Sequence, residues 1–306
     1  MSARVALIFP GQGSQHIGMF ADLAMLEGAD RLIDAAEALS DLPLRHIADA
    51  GTPEQLADTR AAQPLLYLAD WAAASRALAV GITPSALAGH SLGELAALAV
   101  AGVYSVEAGL ELVIERARLM AATAAETPGG MAAVLGLDAQ VIRTALDGLE
   151  GVWIANDNSP GQTVISGTPG GLEAATAVLA EAGARRIVPL AVAGPFHSPL
   201  MKPAADRFAD LIAATAFSDA AIPVLQNTDP APAADAATIR RRLSSQIVSP
   251  VRWVETMDHL KASGVSMLLE CGPGAVLTGL AKRVEGLEAF AIEQTDIEAF
   301  RTEANE

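Results

Sequence analysis

Three features of the 306-residue sequence predict an α/β fold that has a parallel sheet and a small inserted subdomain. Short unbroken apolar runs, such as residues 5–9, end at glycine or proline, as buried parallel strands do. Several of these runs are followed by helical patterns rich in alanine and leucine, which is the order of a βα unit. The middle of the chain departs from this order and follows a β-α-β-β-α-β pattern instead.

The large subdomain of the predicted fold comprises residues 1–125 and 195–306. Its strands are expected at residues 5–9, 85–89, 222–226 and 265–271. Its helices are expected at residues 29–39, 64–79, 95–100, 106–124, 202–214, 238–247 and 251–263, with one more that follows the Gly272–Gly274 turn. The charged segment after Gln294 is expected to be frayed.

The inserted subdomain is predicted to occupy residues 126–194, between a Thr-Pro-Gly-Gly segment and a Gly-Pro pair. Its strands are expected at residues 131–137, 152–156, 162–166 and 186–192, and its helices at residues 139–149 and 171–182. This order is typical of a split βαβ unit, so the insert is predicted to be ferredoxin-like.

Composition limits the classes of protein and of site that the chain can form. Hydrophobic residues make up 51% of the sequence and charged residues 18%, which supports a large buried core and argues against disorder. The net charge of −16 opposes binding to nucleic acid and to anionic membranes. No apolar run approaches the ~20 residues that cross a bilayer, and the first apolar run breaks at Pro10, so we expect a soluble cytoplasmic protein. Cys271 is the only cysteine, which excludes an intramolecular disulfide and a cysteine-rich metal site, and we expect it in the core.

The segment Gly89-His90-Ser91-Leu92-Gly93 fits the G-x-S-x-G pattern of a nucleophile elbow. It lies between a predicted strand and a predicted helix, so the turn would project Ser91 from the edge of the sheet, as in an α/β-hydrolase-like subdomain. The backbone N–H of Leu92 would then lie at a helix N-terminus, where it can donate to an oxyanion. A structural turn serine is the alternative interpretation of the pattern.

A serine hydroxyl needs a base, and a histidine is the commonest one. His90 is adjacent to Ser91, but neighbouring side chains of an extended strand point to opposite faces. His197 follows a predicted strand in a loop whose glycine and prolines can fix its geometry. We therefore favour His197 as the base, with a loop histidine packed beside Phe196 as the alternative. The five histidines are His16, His46, His90, His197 and His259.

Two further features can contribute to a site at the same sheet edge. The turn Pro10–Gln15 follows the first strand but lacks the spacing of a P-loop or a dinucleotide fingerprint, so a backbone N–H there could complete an oxyanion hole. Arg116 lies at the edge of the apolar stripe of its helix, where a half-buried guanidinium can bind a carboxylate. The residues alone favour a structural arginine that either snorkels to the surface or forms a salt bridge, for which Glu111 and Glu115 are the candidates.

Six motifs occur in order along nearly the whole chain. Together they resemble the malonyl-CoA:acyl-carrier-protein transacylases of fatty acid synthesis and the acyltransferase domains of polyketide synthases. The motifs are FPGQGSQ at 9–15, GHSLGE at 89–94, ERARLM at 115–120, NDNSPGQ at 156–162, GPFHSPLMKPA at 194–204 and GPG at 272–274. The ferredoxin-like insert also matches this family, in which the active site lies between the two subdomains.

The resemblance implies a role for each matching residue. Ser91 would attack the malonyl thioester, and His197 would act first as general base and then as general acid. The backbone N–H groups of Gln12 and Leu92 would hold the oxyanion, and Arg116 would pair with the free malonyl carboxylate. A backbone carbonyl at Gln246 would orient His197 in place of a carboxylate, and Phe196 resembles malonyl-selective members.

The resemblance also implies the substrates and the partner. These are malonyl-CoA and a phosphopantetheinylated acyl carrier protein. We expect no bound cofactor and no metal, and a monomer by default, since nothing in the sequence reports the oligomeric state. Both substrates are acidic, so docking needs a local basic patch, for which the candidates are Lys282 with Arg283, Arg240–Arg242, and Arg185 with Arg186.

Three alternative functions stay open on the sequence alone. A serine esterase or thioesterase would need an acid between Ser91 and His197, and Asp138, Asp147 and Asp157 are the candidates. The chain could also load malonyl groups in a malonate decarboxylase or a trans-acting polyketide synthase system. A non-catalytic binding subunit is the third alternative, although Ser91 and His197 argue against it.

Overall fold

The computed structural model describes residues 3–305, whose strands form two five-stranded sheets. The strands are β1 (Arg4–Phe9), β2 (Ala86–Gly89), β3 (Gly130–Leu135), β4 (Val152–Ser159), β5 (Gln162–Gly167), β6 (Arg186–Pro189), β7 (Val224–Leu225), β8 (Val251–Arg252), β9 (Val265–Glu270) and β10 (Glu288–Ala291).

Thirteen α-helices connect and cover these strands within residues 3–305. They are α1 (Ala29–Ser40), α2 (Leu44–Ala50), α3 (Pro53–Ala57), α4 (Thr59–Ala79), α5 (Gly93–Val100), α6 (Val106–Glu126), α7 (Ala139–Leu146), α8 (Pro169–Glu181), α9 (Lys202–Ala214), α10 (Ala236–Ser244), α11 (Trp253–Ala262), α12 (Val276–Ala281) and α13 (Ile297–Asn305). Short 3-10 helices cover Leu23–Met25, Pro199–Met201, Gln246–Val248 and Ile292–Gln294.

The first sheet is parallel throughout and has the strand order β10-β9-β1-β2-β7. Alternate residues of β1 belong to different cores: Leu7 and Phe9 pack into one apolar cluster, and Ala6 and Ile8 into another. Both faces are therefore covered by helices, as the unbroken apolar runs predicted. The carboxyl ends of β1 and β2 lie side by side, with Phe9 opposite Gly89, which brings the turn after each strand to one edge.

The second sheet has the order β6-β3-β5-β4-β8. Its first four strands are antiparallel and, with α7 and α8 packed on one face, form the ferredoxin-like subdomain that the sequence predicted. The fifth strand, β8, comes from the C-terminal half of the chain and runs parallel to β4. The two-subdomain fold is thus confirmed, while the limits 1–125, 126–194 and 195–306 stay a prediction.

Three local expectations were wrong. Helix α4 begins at Thr59 rather than at residue 64, because the side chain of Asp58 caps it by accepting from the Arg60 N–H. Pro64 lies inside this helix and lacks one backbone hydrogen bond, and the burial of the apolar side chains of α4 outweighs that loss. Residues 251–252 form β8 instead of opening a helix. The segment after Gln294 is helical rather than frayed, because Phe300 is buried and packs edge-on against Phe290.

None of the helices within residues 3–305 combines the length and the apolar character that a membrane span requires.

Candidate active site

The predicted nucleophile elbow is present between β2 and α5. Ser91 has a φ of 50°, in the left-handed region that residues other than glycine rarely adopt. Glycine is required on both sides: a Cβ on Gly89 would lie 2.0 Å from the carbonyl carbon of Gly93, and a Cβ on Gly93 would lie 2.1 Å from the carbonyl oxygen of Phe9. The chain can therefore turn sharply from strand to helix and project Ser91 beyond the sheet edge.

His197 is the histidine that reaches the serine. Its Nε2 lies 2.8 Å from Ser91 Oγ, although 106 residues separate the two in sequence. Its Nδ1 lies 3.2 Å from the carbonyl oxygen of Gln246 and 3.0 Å from that of Ser249. Both carbonyls can only accept, so they assign the ring proton to Nδ1 and leave the Nε2 lone pair free to accept the Ser91 proton. The Gln246 carbonyl is where the resemblance placed it, and Ser249 supplies a second one.

Burial keeps the imidazole of His197 neutral. The side chain is in the core at the edge of the cavity, and its pKa is lowered from 6.5 to about 3, first by desolvation and then by the nearby charges of Arg116 and His90. A base must be unprotonated before it can accept a proton. His197 is therefore in its base form at every pH near neutrality.

His90 belongs to the elbow and lines the same cavity, but within residues 3–305 it forms no hydrogen bond to the Ser91 hydroxyl. Its Nε2 lies 2.8 Å from Asn158 Oδ1, and its ring packs edge-on against Trp253 with 5.5 Å between ring centres. The ring of His90 is thus held by other partners, and His197 is the histidine that contacts Ser91. His46 and His259 are exposed, as expected from their polar segments, and His16 contacts Glu293.

Arg116 is fully buried, with 1% of its surface exposed, and points at the nucleophile. One terminal nitrogen donates to Gln63 Oε1 at 2.7 Å, and the other donates to Gln246 Oε1 at 2.9 Å and to Ser91 Oγ at 3.2 Å. Desolvation lowers the pKa of Arg116 to about 10, which leaves it a cation at neutral pH.

Arg116 neither snorkels to the surface nor pairs with Glu111 or Glu115 within residues 3–305, so these two expectations were wrong. Glu115 pairs with Arg118 instead, and no carboxylate of residues 3–305 forms an ion pair with Arg116. Its terminal nitrogens donate to two amide oxygens and to the Ser91 hydroxyl, and its Nε has no partner among the described atoms. A buried guanidinium in this state can donate to a carboxylate that enters the cavity.

The turn after β1 packs directly against the elbow. A Cβ on Gly11 would lie 2.5 Å from the carbonyl oxygen of His90, so only glycine permits this approach. Gln12 and Leu92 line the same cavity as Ser91. Within residues 3–305 the backbone N–H groups of Gln12 and Leu92 donate to no other atom, so both are free to bind an oxyanion.

The cavity has a volume of about 150 Å³ and lies between the two sheets. Ser91, His197 and Arg116 line it together with several other polar side chains, and the rest of its walls are apolar. These walls include Met120, Phe196, Met131 of β3 and Val164 of β5. A small acyl group with one charged end fits this combination of surfaces.

The structure gives no support to a catalytic acid on the histidine. Asp138, Asp147 and Asp157 were the candidates, yet within residues 3–305 the Nδ1 of His197 contacts only backbone carbonyls. A triad of the hydrolase kind needs a carboxylate at that nitrogen.

Sequence reasoning missed four residues that complete the site. Gln63 holds the guanidinium, Ser249 contacts the imidazole, and Asn227 and Glu94 hold the elbow. Only Glu94 lies within a motif that the sequence had marked. Gln63, Asn227 and Ser249 come from segments that are distant in sequence, and no local sequence pattern predicts their roles.

Comparison with known proteins agrees with this geometry. A family model described as the acyl transferase domain matches residues 6–295. Malonyl CoA-acyl carrier protein transacylase of Bacillus subtilis is 42% identical over 287 residues, which are 92% of this chain and 90% of that protein. The protein of the same name from Escherichia coli K12 is 39% identical over 300 residues, covering 94% of this chain and 96% of that one.

Solved structures have the same architecture. The crystal structure of malonyl-CoA:ACP transacylase from Synechocystis sp. superposes with a TM-score of 0.89 at 40% identity, covering 97% of this chain and 99% of that one. A malonyl-transacylase in complex with a type II PKS acyl-carrier protein gives a TM-score of 0.92 at 39% identity, covering 99% and 100%. The chain therefore belongs to the acyl transferase family, within the branch of the malonyl CoA-acyl carrier protein transacylases.

Proposed function

We propose that the protein transfers a malonyl group from malonyl-CoA to the phosphopantetheine thiol of an acyl carrier protein through an ester on Ser91. The observation that carries the proposal is Arg116, a buried cation without a carboxylate partner within residues 3–305, 3.2 Å from the nucleophile. An uncharged acyl group would leave this guanidinium desolvated and incompletely paired, whereas a free malonyl carboxylate can accept a bidentate pair from it.

In the first half-reaction His197 Nε2 accepts the proton of Ser91 Oγ as the oxygen attacks the thioester carbon. The negative charge that forms on the carbonyl oxygen is proposed to be held by the N–H groups of Gln12 and Leu92. When the intermediate collapses, the carbon–sulfur bond breaks and His197 returns the proton to the departing thiolate of coenzyme A. The product is a malonyl ester on Ser91.

The second half-reaction uses the same groups in reverse. His197 accepts the proton of the carrier's thiol, and the sulfur attacks the ester carbon. The bond to Ser91 Oγ then breaks, and the serine oxygen recovers the proton from His197. Release of coenzyme A before the carrier reacts gives ping-pong kinetics.

The proposed roles fix the selectivity for the acyl group. Arg116 would bind the carboxylate end, while Gln63 and the side chain of Gln246 hold the guanidinium in place. Phe196 and Met120 line the apolar wall of a small cavity, which supports malonyl over branched acyl groups. The proposed selectivity thus depends on the size of the cavity as well as on the charge of Arg116.

The carrier protein is proposed to dock at the basic pair Lys282 and Arg283. Both are exposed, and Arg283 reaches Ser159 Oγ at 3.4 Å, next to Asn158 of the cavity wall. Arg240 and Arg242 are less suitable, because they already bind carbonyl oxygens of their own chain, and Arg242 also pairs with Asp229. Arg185 and Arg186 are exposed as well and would extend the same positive surface.

Fatty acid synthesis is the proposed pathway, although a polyketide or malonate system would use the same chemistry on a different carrier. We also propose that the reaction is cytoplasmic, that the protein is a monomer, and that no metal or cofactor takes part. The net charge of −16 supports the monomer, because like charge opposes self-association. Ser91, His197 and two N–H groups supply the nucleophile, base and oxyanion donors, so activity should survive a chelator.

Carrier dependence tests the proposed function against a thioesterase. Malonyl-CoA is incubated with the protein, with and without phosphopantetheinylated carrier, and free coenzyme A and malonyl carrier are both measured. The proposal expects sustained release of coenzyme A only when carrier is present. Rapid release without carrier, accompanied by free malonate, would establish a hydrolase instead.

A further inference from the structure

The nucleophile elbow is held by side chains outside its own segment. Ser91 has a φ of 50°, a conformation that persists only where surrounding contacts fix it. Three hydrogen bonds come from neighbouring backbone: His90 N–H donates to the Phe9 carbonyl, Gly93 N–H to the His90 carbonyl and Glu94 N–H to the Ser91 carbonyl. They leave the N–H of Ser91 and the carbonyl of Gly89 to find partners elsewhere.

Asn227 provides both of these partners with one carboxamide. Its Oδ1 accepts from the Ser91 N–H at 2.8 Å, and its Nδ2 donates to the Gly89 carbonyl at 2.6 Å. The side chain is 1% exposed and comes from the loop after β7, 136 residues away from Ser91 in sequence. A single planar group thus sets the distance between the last residue of β2 and the nucleophile.

Glu94 fixes Asn227 in turn. One carboxylate oxygen accepts from the backbone N–H of Asn227 at 2.7 Å, and the other accepts from Gln226 Nε2 at 3.1 Å. Glu94 is 1% exposed and lies in the first turn of α5, three residues after Ser91. It therefore ties the loop after β7 to the helix that carries the elbow.

Glu94 has a second effect on the site. It is buried near Arg116, and the attraction of the two charges raises the pKa of Arg116 against the larger effect of desolvation. No ion pair within residues 3–305 joins the two side chains directly, so the guanidinium stays open to an external carboxylate. A buried cation without a buried anion nearby would be more costly.

We propose that Asn227 and Glu94 are positioning residues of the transfer reaction, which hold the elbow so that Ser91 Oγ meets His197 and the Leu92 N–H faces the oxyanion. The inference rests on the proposed function only for its substrate. Neither residue lines the cavity, so each acts through Ser91 and not through the acyl group.

The test compares Asn227→Ala with Leu243→Ala, a control that removes a fully buried side chain outside the site. Two rates are measured for each variant: reaction of Ser91 with a small serine-reactive fluorophosphonate, and the pre-steady-state acylation rate with malonyl-CoA. We expect Asn227→Ala to lower both by about 100-fold, because misplacing a nucleophile by about 1 Å has this effect. The KM for malonyl-CoA should stay within about twofold of wild type, and Leu243→Ala should leave both rates within about threefold.

Glu94→Gln provides an intermediate case. The glutamine keeps one acceptor oxygen, but its N–H₂ group replaces the other oxygen and then faces a donor, either the Asn227 N–H or Gln226 Nε2. Fluorophosphonate labelling should therefore fall, but by less than in Asn227→Ala. Labelling of Asn227→Ala within about threefold of wild type, or an equal loss in Leu243→Ala, would overturn the inference. If wild-type protein reacts with the fluorophosphonate but not with malonyl-CoA, the proposed function fails while the role of Asn227 can still be measured.

Discussion

Replacement of Arg116 by alanine should invert the acyl preference of the protein. Removing one member of a buried ion pair costs about 3–5 kcal/mol, which corresponds to a factor of about 10² to 10⁴ in rate. Water can enter the space that the guanidinium leaves beside a cavity of about 150 Å³ and hydrate part of the malonyl charge. We therefore expect the lower end, a loss of about 100-fold in kcat/KM for malonyl-CoA.

The same change should favour acetyl-CoA. In the wild type an acetyl group would leave the buried guanidinium without a carboxylate, at a cost of about 1–3 kcal/mol that the alanine variant no longer carries. The lower part of this range predicts that acetyl transfer rises by about tenfold, and the malonyl-to-acetyl ratio should then fall by about 10³. The assay is release of coenzyme A from each thioester in the presence of carrier, at pH 8.

Two controls separate recognition from damage to the site. Arg116→Lys keeps the charge but loses the two parallel donors, so its malonyl activity should lie between wild type and alanine. Acetyl transfer serves as the internal control, because a disturbed contact between Ser91 and His197 would lower both reactions. Equal kcat/KM for malonyl-CoA in wild type and Arg116→Ala would refute the role given to Arg116.

Three other predictions concern pH and packing. Since the pKa of His197 is lowered to about 3, kcat/KM for malonyl-CoA should stay level between pH 5 and 8. A loss of activity on acidification that is centred near pH 6.5 would contradict this. Arg116→Ala removes one of the charges that lower the pKa of His197, so in this variant the acidic loss of activity should occur at a higher pH than in wild type. Burial, and to a lesser extent the charge of Glu270, raises the pKa of Asp70, and neither of its oxygens has a partner among the described atoms. Folding above about pH 4 therefore takes up a proton and stability falls as pH rises. Asp70→Asn should raise the melting temperature, more at pH 8 than at pH 5.5, and an equal effect at both would refute the titration. Gly93→Ala should abolish activity or folding, because its Cβ would lie 2.1 Å from the Phe9 carbonyl oxygen; a fully active variant would show that β1 can move away.

Much of the active site could be predicted because its chemistry is local in sequence. The strand, the tight turn and the helix around Ser91 are consecutive, and glycines mark the turn. His197 was favoured because of the prolines and glycine of its loop, and the structure places its Nε2 2.8 Å from Ser91 Oγ. Arg116 was predicted at the edge of an apolar stripe, where the pattern could not distinguish a surface ion pair from a buried ligand.

The remaining site depends on contacts between distant segments. Asn227 is 136 residues from Ser91 in sequence, and Gln63 is 53 residues from Arg116. Contacts between such distant residues produce no periodic pattern in the sequence, so they could not be predicted from it. The fold shows the same limit. Helix α13 has a charged sequence, and it forms because Ile297, Phe300 and Ala304 are buried in the core, with Phe300 packed on Phe290 of β10.

The mass of the intact protein after mixing with malonyl-CoA tests the central claim most directly. The account predicts a gain of one malonyl group on Ser91, no gain in Ser91→Ala, and return to the original mass when phosphopantetheinylated carrier is added. The seryl-ester mechanism would be contradicted if the wild-type protein released coenzyme A and produced malonylated carrier without ever gaining this mass.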